Sequence, residues 1–253
     1  MAELTDLVLE WASESAFIKQ KFFKDHAAQV AACARDLTAR LVAGGKLLSC
    51  GNGGSASDAL HIAVEFTNPV IKERPPLPAL ALNADVAIVT SLANDFDYSE
   101  IFARQVEVYA QPGDALIGLS TSGDSPNVVK AIEAAKARGL LTVALTGKGG
   151  GRCAALADYA FAVPSHNILR IQECHLTLYH ILWDMVHTLL HYEPEARRPA
   201  AAIAASGAAG SPTAAAGSLA AASPAGAAAP APAAAAEPVD PALADLYPFL
   251  FKT

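Results

Sequence analysis

The stretch Ala115-Leu-Ile-Gly-Leu-Ser-Thr-Ser-Gly-Asp-Ser125 runs from a short apolar segment into a turn rich in hydroxyl side chains. The uncharged segment 115–119 predicts a buried strand. Ser125 can serve as an N-cap, and the proline that follows it suits the first turn of a helix. The sequence therefore predicts a strand, a loop and a helix ending near Arg138, which is the repeating unit of α/β folds.

A second junction, Lys46-Leu-Leu-Ser-Cys-Gly-Asn-Gly-Gly-Ser55, has the same design and leads into a helix predicted over 55–66. In open α/β sheets, ligands bind outside the carboxyl ends of the strands. Glycines let backbone N–H groups approach an anion there, and hydroxyls add donors. Neither loop has the lysine and spacing of a nucleotide P-loop, and the glycine-rich stretch 51–54 is not Gly-x-Gly-x-x-Gly. A monophosphate on a small molecule fits better, although tight turns alone would also use glycine and serine.

The rest of the first 192 residues alternates between helix and strand signals. Strands are predicted at 79–82, 141–145 and 159–163, and helices at 99–109 and 169–191. Alternation of this kind predicts a three-layer αβα sandwich around a mainly parallel five-stranded sheet. Two apolar stripes, over 4–22 and 30–41, have no strand between them and predict two extra N-terminal helices, an added element that often forms an oligomer interface.

Composition changes sharply after Tyr192 and divides the chain into three predicted parts. Residues 1–192 form the folded domain, and residues 193–238 are nearly all alanine, proline, glycine, serine and threonine, which predicts a flexible linker. Residues 239–253 regain large apolar side chains and predict a docking peptide for a protein partner. The alternatives are that this peptide folds back on its own subunit or has no role; either way, the fold class includes a disordered C-terminal tail.

Charge and cysteine usage restrict the class of protein. The 253 residues carry a net charge of −7, which argues against a nucleic-acid partner and against an anionic membrane surface. The four cysteines are far apart and form no Cys-x-x-Cys pair, so we expect reduced, packed thiols rather than disulfides or a zinc knuckle. The acidic N-terminus lacks the pattern of a signal peptide. We therefore expect a cytoplasmic protein.

Three groups of polar residues stand out along the chain. His61 and Glu65 are four residues apart and share a helix face, although such a pair is often only a surface or core contact. Gln172 and His180 are eight residues apart, within roughly 80° of each other around a helix, but a histidine-rich helix can simply face solvent. The stretch 94–95, Asn-Asp, ends an apolar segment and by itself is a turn.

Together these stretches resemble the sugar isomerase (SIS) domain superfamily, and within it the family of phosphoheptose, or sedoheptulose-7-phosphate, isomerases. The resemblance covers residues 1–192. It rests on six stretches taken together: 48–55, the pair His61 and Glu65, 94–96, 120–125, 145–148, and 170–173 with His180. The resemblance implies the sandwich fold described above and a homotetramer with sites between subunits.

The resemblance also implies roles for individual residues. The hydroxyl-rich loop is implied to hold the sugar phosphate through Ser120, Thr121, Ser122 and Ser125. The other implied substrate contacts are Asn52, Gly53, Gly54, Ser55, Glu65, Asn94, Asp95 and Gln172. The implied zinc ligands are His61, Glu65, Gln172 and His180, and the implied acid and base are Glu65 and His180.

The implied reaction converts sedoheptulose 7-phosphate into D-glycero-D-manno-heptose 7-phosphate, which feeds heptose nucleotide synthesis. A ketose–aldose shift through an enediol needs a base, an acid for the oxygen and a group that polarises the carbonyl, and a carboxylate, an imidazole and zinc suit these tasks. One position departs from the family: some members have aspartate just before the stretch 170–173, where this chain has Leu169. His166 or Asn167 could take its place.

A second class of function stays open at this point. Related domains bind sugar phosphates without catalysis, so the alternative is a regulator that acts through a protein partner. Retention of all four implied acid, base or metal positions favours the enzyme. A glutamine-dependent amidotransferase would need an added glutaminase domain, for which the chain has no room.

Overall fold

The protein is described from a computed structural model, which covers residues 3–71 and 74–192. The predicted linker 193–238 and the predicted docking peptide 239–253 lie outside the described residues. The expectation of a disordered tail therefore stays a prediction.

The core of the molecule is a five-stranded sheet in the order β2-β1-β3-β4-β5. Its strands are β1 (Leu47–Gly51), β2 (Ala79–Ala81), β3 (Ala115–Ser120), β4 (Leu141–Gly147) and β5 (Tyr159–Val163). Every neighbouring pair is parallel. The prediction of a mainly parallel five-stranded sheet is confirmed. The three central strands are buried along their whole length, which explains their continuous apolar sequences.

Seven α-helices of the described residues cover the sheet. They are α1 (Leu4–Val42), α2 (Gly54–Thr67), α3 (Val86–Asp95), α4 (Ala103–Tyr109), α5 (Pro126–Ala137), α6 (Gly151–Leu156) and α7 (Ile168–Tyr192). Alternate strand residues point to opposite faces, so Leu47 packs with α1, α2 and α7, whereas Leu48 packs with α4 and α5. The result is the expected three-layer sandwich with two apolar cores.

The N-terminal region differs from the prediction. Instead of two helices, the chain forms the single 39-residue helix α1. The gap between the two apolar stripes, residues 23–29, contains neither glycine nor proline, so nothing in it ends a helix. The first half of α1 is largely exposed, and its fully buried side chains begin at Phe22. The break in the apolar pattern thus marks a change in burial rather than a turn.

The segment predicted as one helix over 99–109 is also divided. A short 3₁₀ turn at Tyr98–Glu100 precedes α4, which begins at Ala103. The carboxylate of Asp97 accepts a hydrogen bond from the backbone N–H of Ser99 at 2.8 Å and starts this turn. Two helices, α3 and α6, were not predicted.

The strand order creates a crevice between β1 and β3. From β1 the chain moves outward in one direction to β2 and then returns to build β3, β4 and β5 on the other side. The loops that follow β1 and β3 therefore diverge at the carboxyl edge of the sheet, where open α/β folds bind their ligands. These are the glycine-rich loop (residues 51–54) and the serine loop (residues 120–125) of the sequence analysis.

All four cysteines are free and buried, which confirms the expectation of packed thiols. Burial raises the pKa of the Cys33 thiol to about 12 and that of Cys174 to about 12. These thiols are therefore protonated and unreactive at neutral pH. Within residues 3–71 and 74–192, none of the helices has the length and apolar character needed to cross a membrane.

Candidate active site

The serine loop folds around the hydroxyl group of Ser120. Ser120 Oγ lies 2.8 Å from Ser125 Oγ and 3.3 Å from Ser122 Oγ, and it accepts the backbone N–H of Gly123 at 3.1 Å. Ser125 is the N-cap of α5 by position, but its side chain makes no capping hydrogen bond. Its hydroxyl turns into the loop instead. Three hydroxyl groups therefore cluster next to the start of a helix, an arrangement that suits a phosphate.

The glycine-rich loop brings the backbone close to α7. Gly53 has φ of 55°, a left-handed conformation that favours glycine, and it is the N-cap of α2. A Cβ atom at Gly54 would collide with the side-chain amide of Gln172 and lie 3.0 Å from its Cδ and Oε1. Gln172 thus packs directly on the first turn of α2, so this predicted substrate contact lies beside Gly53 and Gly54.

Three of the predicted metal ligands converge between α2 and α7. His61 Nε2 lies 3.0 Å from Glu65 Oε1, and His180 Nε2 lies 3.5 Å from His61 Nε2. One ligand atom from each of the three side chains falls within 4.8 Å of the others. His61 and Glu65 are neighbours because they are one helical turn apart, whereas His180 is brought to them by the packing of α7 on α2.

The fourth predicted ligand, Gln172, lies apart from this group within one chain. Gln172 and His180 are eight residues apart on α7, which corresponds to a rise of about 12 Å. The Gln172 amide contacts Gly54, which precedes His61 by seven residues on α2, a rise of about 10 Å. The two helices run side by side in the same direction. Gln172 therefore lies at a different position along the helix axes from the triad of His61, Glu65 and His180.

The side chains of the triad are held by neighbours on both helices. The hydroxyl of Tyr179 lies 2.9 Å from His61 Nδ1 and donates to Asp58 Oδ1 at 3.4 Å. The indole of Trp183 donates to the carbonyl oxygen of Glu65 at 2.8 Å. Burial raises the pKa of the Asp58 carboxyl, and its second oxygen has no hydrogen-bond partner among the described residues. These contacts fix the ring of His61 and the spacing of the two helices.

The environment of His180 favours its neutral form. Burial, and then the neighbouring His61, lower the pKa of the His180 imidazole. A neutral imidazole at neutral pH can accept a proton at one ring nitrogen and donate one from the other. The same neutral nitrogen is what a metal requires of a histidine ligand.

The donor set fits zinc. Two imidazole nitrogens and one carboxylate oxygen form a ligand set that catalytic zinc sites use, with a further position left for another ligand. The contact between Tyr179 and His61 Nδ1 leaves Nε2 as the ligating nitrogen, as in sites where a hydrogen bond to one ring nitrogen orients the other.

Asn94 and Asp95 occupy the last turn of helix α3 and are exposed, so these two residues end a helix rather than forming the turn that the stretch by itself suggests. The helix starts at Asp85, whose carboxylate caps it by accepting the backbone N–H groups of Ala87 and Ile88. Asn94 donates to Asp95 Oδ1 at 2.9 Å rather than to either loop. The chain then returns to the glycine-rich loop, where the hydroxyl of Tyr98 donates to Asn52 at 3.1 Å.

The position that departs from the family has a clear local structure. Leu169 lies in the first turn of α7 and is 63% exposed. Asn167 Oδ1 accepts the backbone N–H of Leu169 at 3.0 Å, so this amide is used as the cap of α7. Of the two side chains suggested as substitutes, Asn167 is therefore committed to the helix end, and His166 is exposed.

Comparison with known proteins places this site in a family. The family model of the SIS domain matches residues 10–147. A phosphoheptose isomerase of Thermodesulfovibrio yellowstonii is 50% identical over 196 residues, which cover 78% of this chain and 98% of the relative. The chain belongs to the phosphoheptose isomerase family.

Solved structures of this family share the fold. A phosphoheptose isomerase from Neisseria gonorrhoeae is 37% identical with a TM-score of 0.69, covering 73% of this chain and 99% of that one. Another, from Francisella tularensis, is also 37% identical with a TM-score of 0.71, covering 74% of this chain and 100% of that one. Both the SIS fold and the family resemblance of the sequence are confirmed.

The structure places three further residues at the candidate site that the sequence analysis does not single out. Asp58 precedes His61 by three residues and so shares its helix face, a signal that was available. Tyr179 adjoins His180, but its contact with His61 depends on helix packing. Asn127 follows the serine loop, and its buried side chain bonds to Asn52 in the other loop. Such a pairing between distant segments leaves no pattern in a single sequence.

Proposed function

We propose that the chain is an aldose–ketose isomerase that converts sedoheptulose 7-phosphate into D-glycero-D-manno-heptose 7-phosphate, a product that feeds heptose nucleotide synthesis. The observation that carries this proposal is the convergence of three side chains. His61 and Glu65 lie on α2, the helix that follows the glycine-rich loop, and His180 lies on the neighbouring helix α7. Membership of a family named for the isomerisation of a heptose phosphate supports the choice of substrate.

The substrate is held at two places. The hydroxyls of Ser120, Thr121, Ser122 and Ser125 and the nearby backbone N–H groups bind the phosphate. The sugar lies toward the glycine-rich loop, where Asn52, Gly53, Gly54 and Ser55 line the opposite side of the crevice. Asn94, Asp95 and Gln172 contribute further polar contacts to the sugar hydroxyls.

Proton transfer is assigned to two side chains. Glu65 removes the proton from one carbon and returns it to the adjacent carbon, and His180 exchanges a proton with the oxygen. The lowered pKa of His180 supports this role because it keeps the imidazole neutral at neutral pH. General acid–base groups of this kind contribute about 10² to 10⁴ in rate.

His61, Glu65 and His180 would hold a zinc ion, with Gln172 as the fourth ligand if a neighbouring subunit brings it within reach. When bound, zinc supplies Lewis-acid polarisation of the substrate carbonyl. Glu65 then has two functions, as a ligand and as the proton carrier. A carboxylate has two oxygens, so Glu65 could hold the ion with one and would still have the other for the proton.

The test is conversion of sedoheptulose 7-phosphate by the purified protein, followed by NMR with zinc and with a chelator. Glu65→Gln and His180→Ala should each lower kcat by about 10² to 10⁴. Glu107→Gln, at an exposed carboxylate on α4, is the matched control and should leave kcat unchanged. Near-normal turnover in both active-site variants would contradict the assignment.

A sugar-phosphate-binding regulator is the alternative function. It predicts thermal stabilisation by the heptose phosphate without conversion. The retained triad of proton carriers and metal ligands favours catalysis over this alternative, because binding a sugar phosphate alone does not require it.

We also infer a homotetramer. The first half of α1 leaves large apolar side chains exposed: Leu4 (82%), Val8 (62%), Leu9 (67%), Trp11 (54%) and Phe17 (65%). Exposed apolar side chains in this number are typical of a helix that packs against another subunit. Light scattering should give four times the monomer mass of 26.1 kDa, and a monomer would contradict the inference.

A further inference from the structure

The glycine-rich loop and the serine loop are joined by a pair of side-chain amides. Asn52 Nδ2 donates to Asn127 Oδ1 at 2.8 Å, and Asn127 Nδ2 donates to Asn52 Oδ1 at 2.8 Å. The two residues are 75 positions apart in the sequence. A reciprocal pair of this type fixes both the distance and the relative orientation of the groups that carry it.

Asn127 is the rigid member of the pair. It lies in the first turn of α5, directly after the serine loop, and only 1% of it is exposed. Its Oδ1 also accepts the backbone N–H of Val128 at 3.0 Å. Helix packing and this bond hold the amide in place, so it can orient the more exposed Asn52.

Asn52 is held from a second direction. Its Oδ1 accepts the hydroxyl of Tyr98 at 3.1 Å in addition to the amide of Asn127. Both lone pairs of this oxygen are therefore used, and one of its two amide hydrogens is donated to Asn127. The side chain of Asn52 has one N–H left to offer to a substrate, pointing in a direction that its partners determine.

The amide pair lies where a ligand is expected to bind. It crosses the crevice between the carboxyl ends of β1 and β3, the site where a ligand binds in this sheet topology. We propose that Asn127 is a positioning residue, which sets the spacing between the serine loop that binds phosphate and the glycine-rich loop that binds the sugar. This inference rests on the proposed function for the identity of the ligand.

The spacing matters because the phosphate and the sugar of the substrate are covalently joined and must contact the two loops at the same time. Inorganic phosphate needs only the serine loop, whose hydroxyl contacts do not involve Asn127. A sugar phosphate needs both loops at the correct separation, and misplacement by about 1 Å can lower a rate about 10²-fold. Loss of the amide pair should therefore lower the affinity for the sugar phosphate while leaving the affinity for inorganic phosphate unchanged.

The test compares wild type and Asn127→Ala by calorimetry with inorganic phosphate and with sedoheptulose 7-phosphate, and by steady-state kinetics. We expect the phosphate affinity to stay within about twofold, and kcat/KM for the sugar phosphate to fall by about 10- to 100-fold. Equal losses for phosphate and sugar phosphate, or no loss for either, would overturn the proposal.

A double-mutant cycle separates positioning from general stability. If Asn127 acts through Asn52, the variant Asn52→Ala/Asn127→Ala should have nearly the same kcat/KM as Asn52→Ala alone. Additive losses would mean that Asn127 affects the site by another route. Gln105→Leu is the control, because it removes a buried amide with hydrogen bonds of 2.7 and 2.8 Å outside the two loops. It should leave the ratio of the two affinities unchanged.

Tyr98→Phe keeps the proposal testable if Asn127→Ala does not fold. Tyr98 is exposed, and the change removes only one hydrogen bond to Asn52, so we expect a smaller loss of sugar-phosphate affinity with phosphate affinity unchanged.

Wild-type protein that binds phosphate but neither binds nor converts the heptose phosphate would reject the proposed substrate. In that case the NMR signals of the Asn52 amide still report the pair: exchange of its donated N–H with water should be slow in wild type and faster in Asn127→Ala, and equal exchange would contradict the pairing.

Discussion

At the scale of single residues, Gly54 shows how a missing side chain lets a neighbouring side chain approach the backbone. The Gln172 amide occupies the space that a Cβ atom of residue 54 would fill. Gly54→Ala should therefore displace the end of this flexible side chain and lower kcat/KM at least tenfold. Stability should be unchanged or slightly higher, because alanine favours a helix over glycine by up to about 1 kcal/mol. Kinetics and thermal unfolding on the same preparation check both expectations.

The matched control is Gly139→Ala. Gly139 has φ of +76°, and a Cβ atom there would meet nothing within 4 Å. This change should destabilise the protein by about 1 to 2 kcal/mol because the left-handed backbone disfavours alanine, and it should leave kcat/KM intact. Wild-type kcat/KM in Gly54→Ala would mean that the place of Gln172 beside α2 does not matter for turnover.

We expect Tyr179 to tune the proposed metal site through His61. Its hydroxyl lies between His61 Nδ1 and Asp58 Oδ1, so it can accept from the imidazole while donating to the carboxylate. Removal of such an outer partner typically lowers metal affinity 10- to 100-fold. Tyr179→Phe should therefore weaken zinc binding by about tenfold, measured by competition with a chromogenic chelator. Tyr159→Phe also loses a hydrogen bond to a carboxylate, that of Asp36, and should leave zinc affinity unchanged.

The residue scale also separates what a sequence can predict from what it cannot. His61 and Glu65 could be paired from their spacing, because one helical turn determines their separation. The hydroxyls of the serine loop lie within six consecutive residues, so their cluster could be predicted equally well. The contacts of Tyr179 with His61 and of Asn127 with Asn52 depend on how distant elements pack, and neither residue carries a local signal of its partner.

At the scale of elements, His175 fastens α7 to the sheet. Its Nε2 donates to the carbonyl oxygen of Thr146 on β4 at 3.0 Å, and the residue is fully buried. Burial lowers the pKa of His175 from 6.5 to about 4. The folded protein thus holds a neutral imidazole where the unfolded chain would bind a proton below pH 6.5.

This burial gives a pH dependence with a definite sign. Between pH 6.5 and 4 the unfolded state binds more protons than the folded state at His175, so the free energy of unfolding must fall as the pH falls. The contribution should reach about 3 kcal/mol at pH 4. His175→Gln can keep the hydrogen bond to Thr146 without titrating. The slope of the free energy of unfolding against pH, measured by urea unfolding at a series of pH values, should therefore fall by the equivalent of up to one bound proton. An unchanged slope would contradict the assignment.

The elements themselves were predictable to different degrees. Strand β5 was predicted with the bounds observed, since 159–163 is flanked by clear turn signals. Helix α1 was divided in the prediction because apolar periodicity fails where a helix leaves the core. Helix α6 has only six residues, and its glycine-rich start is shaped by contact with the serine loop: a Cβ atom on Gly123 would collide with Gly150. Short elements of this kind depend on tertiary contacts.

At the scale of the whole molecule, the strand order is the feature that makes the site. The sequence predicted the class of sheet, but strand order depends on which crossovers pack best and was not predicted. Placing β1 beside β3 brings loops from residues 51–54 and 120–125 to one crevice. The same order places α2 and α7 on one face, where the triad forms.

The last prediction concerns the 61 residues after Tyr192. All the proposed site residues lie between Asn52 and His180, and 196 residues of this chain suffice to cover 98% of the Thermodesulfovibrio relative. A chain ending at Tyr192 should therefore keep kcat/KM within about twofold and keep its oligomeric mass. Loss of turnover in this truncation would show that the C-terminal region takes part in catalysis.

Removal of 239–253 alone tests the docking peptide. Crosslinking in cells should capture a protein partner with the full chain and not with the shortened one, whereas an unchanged set of partners would reject a docking role.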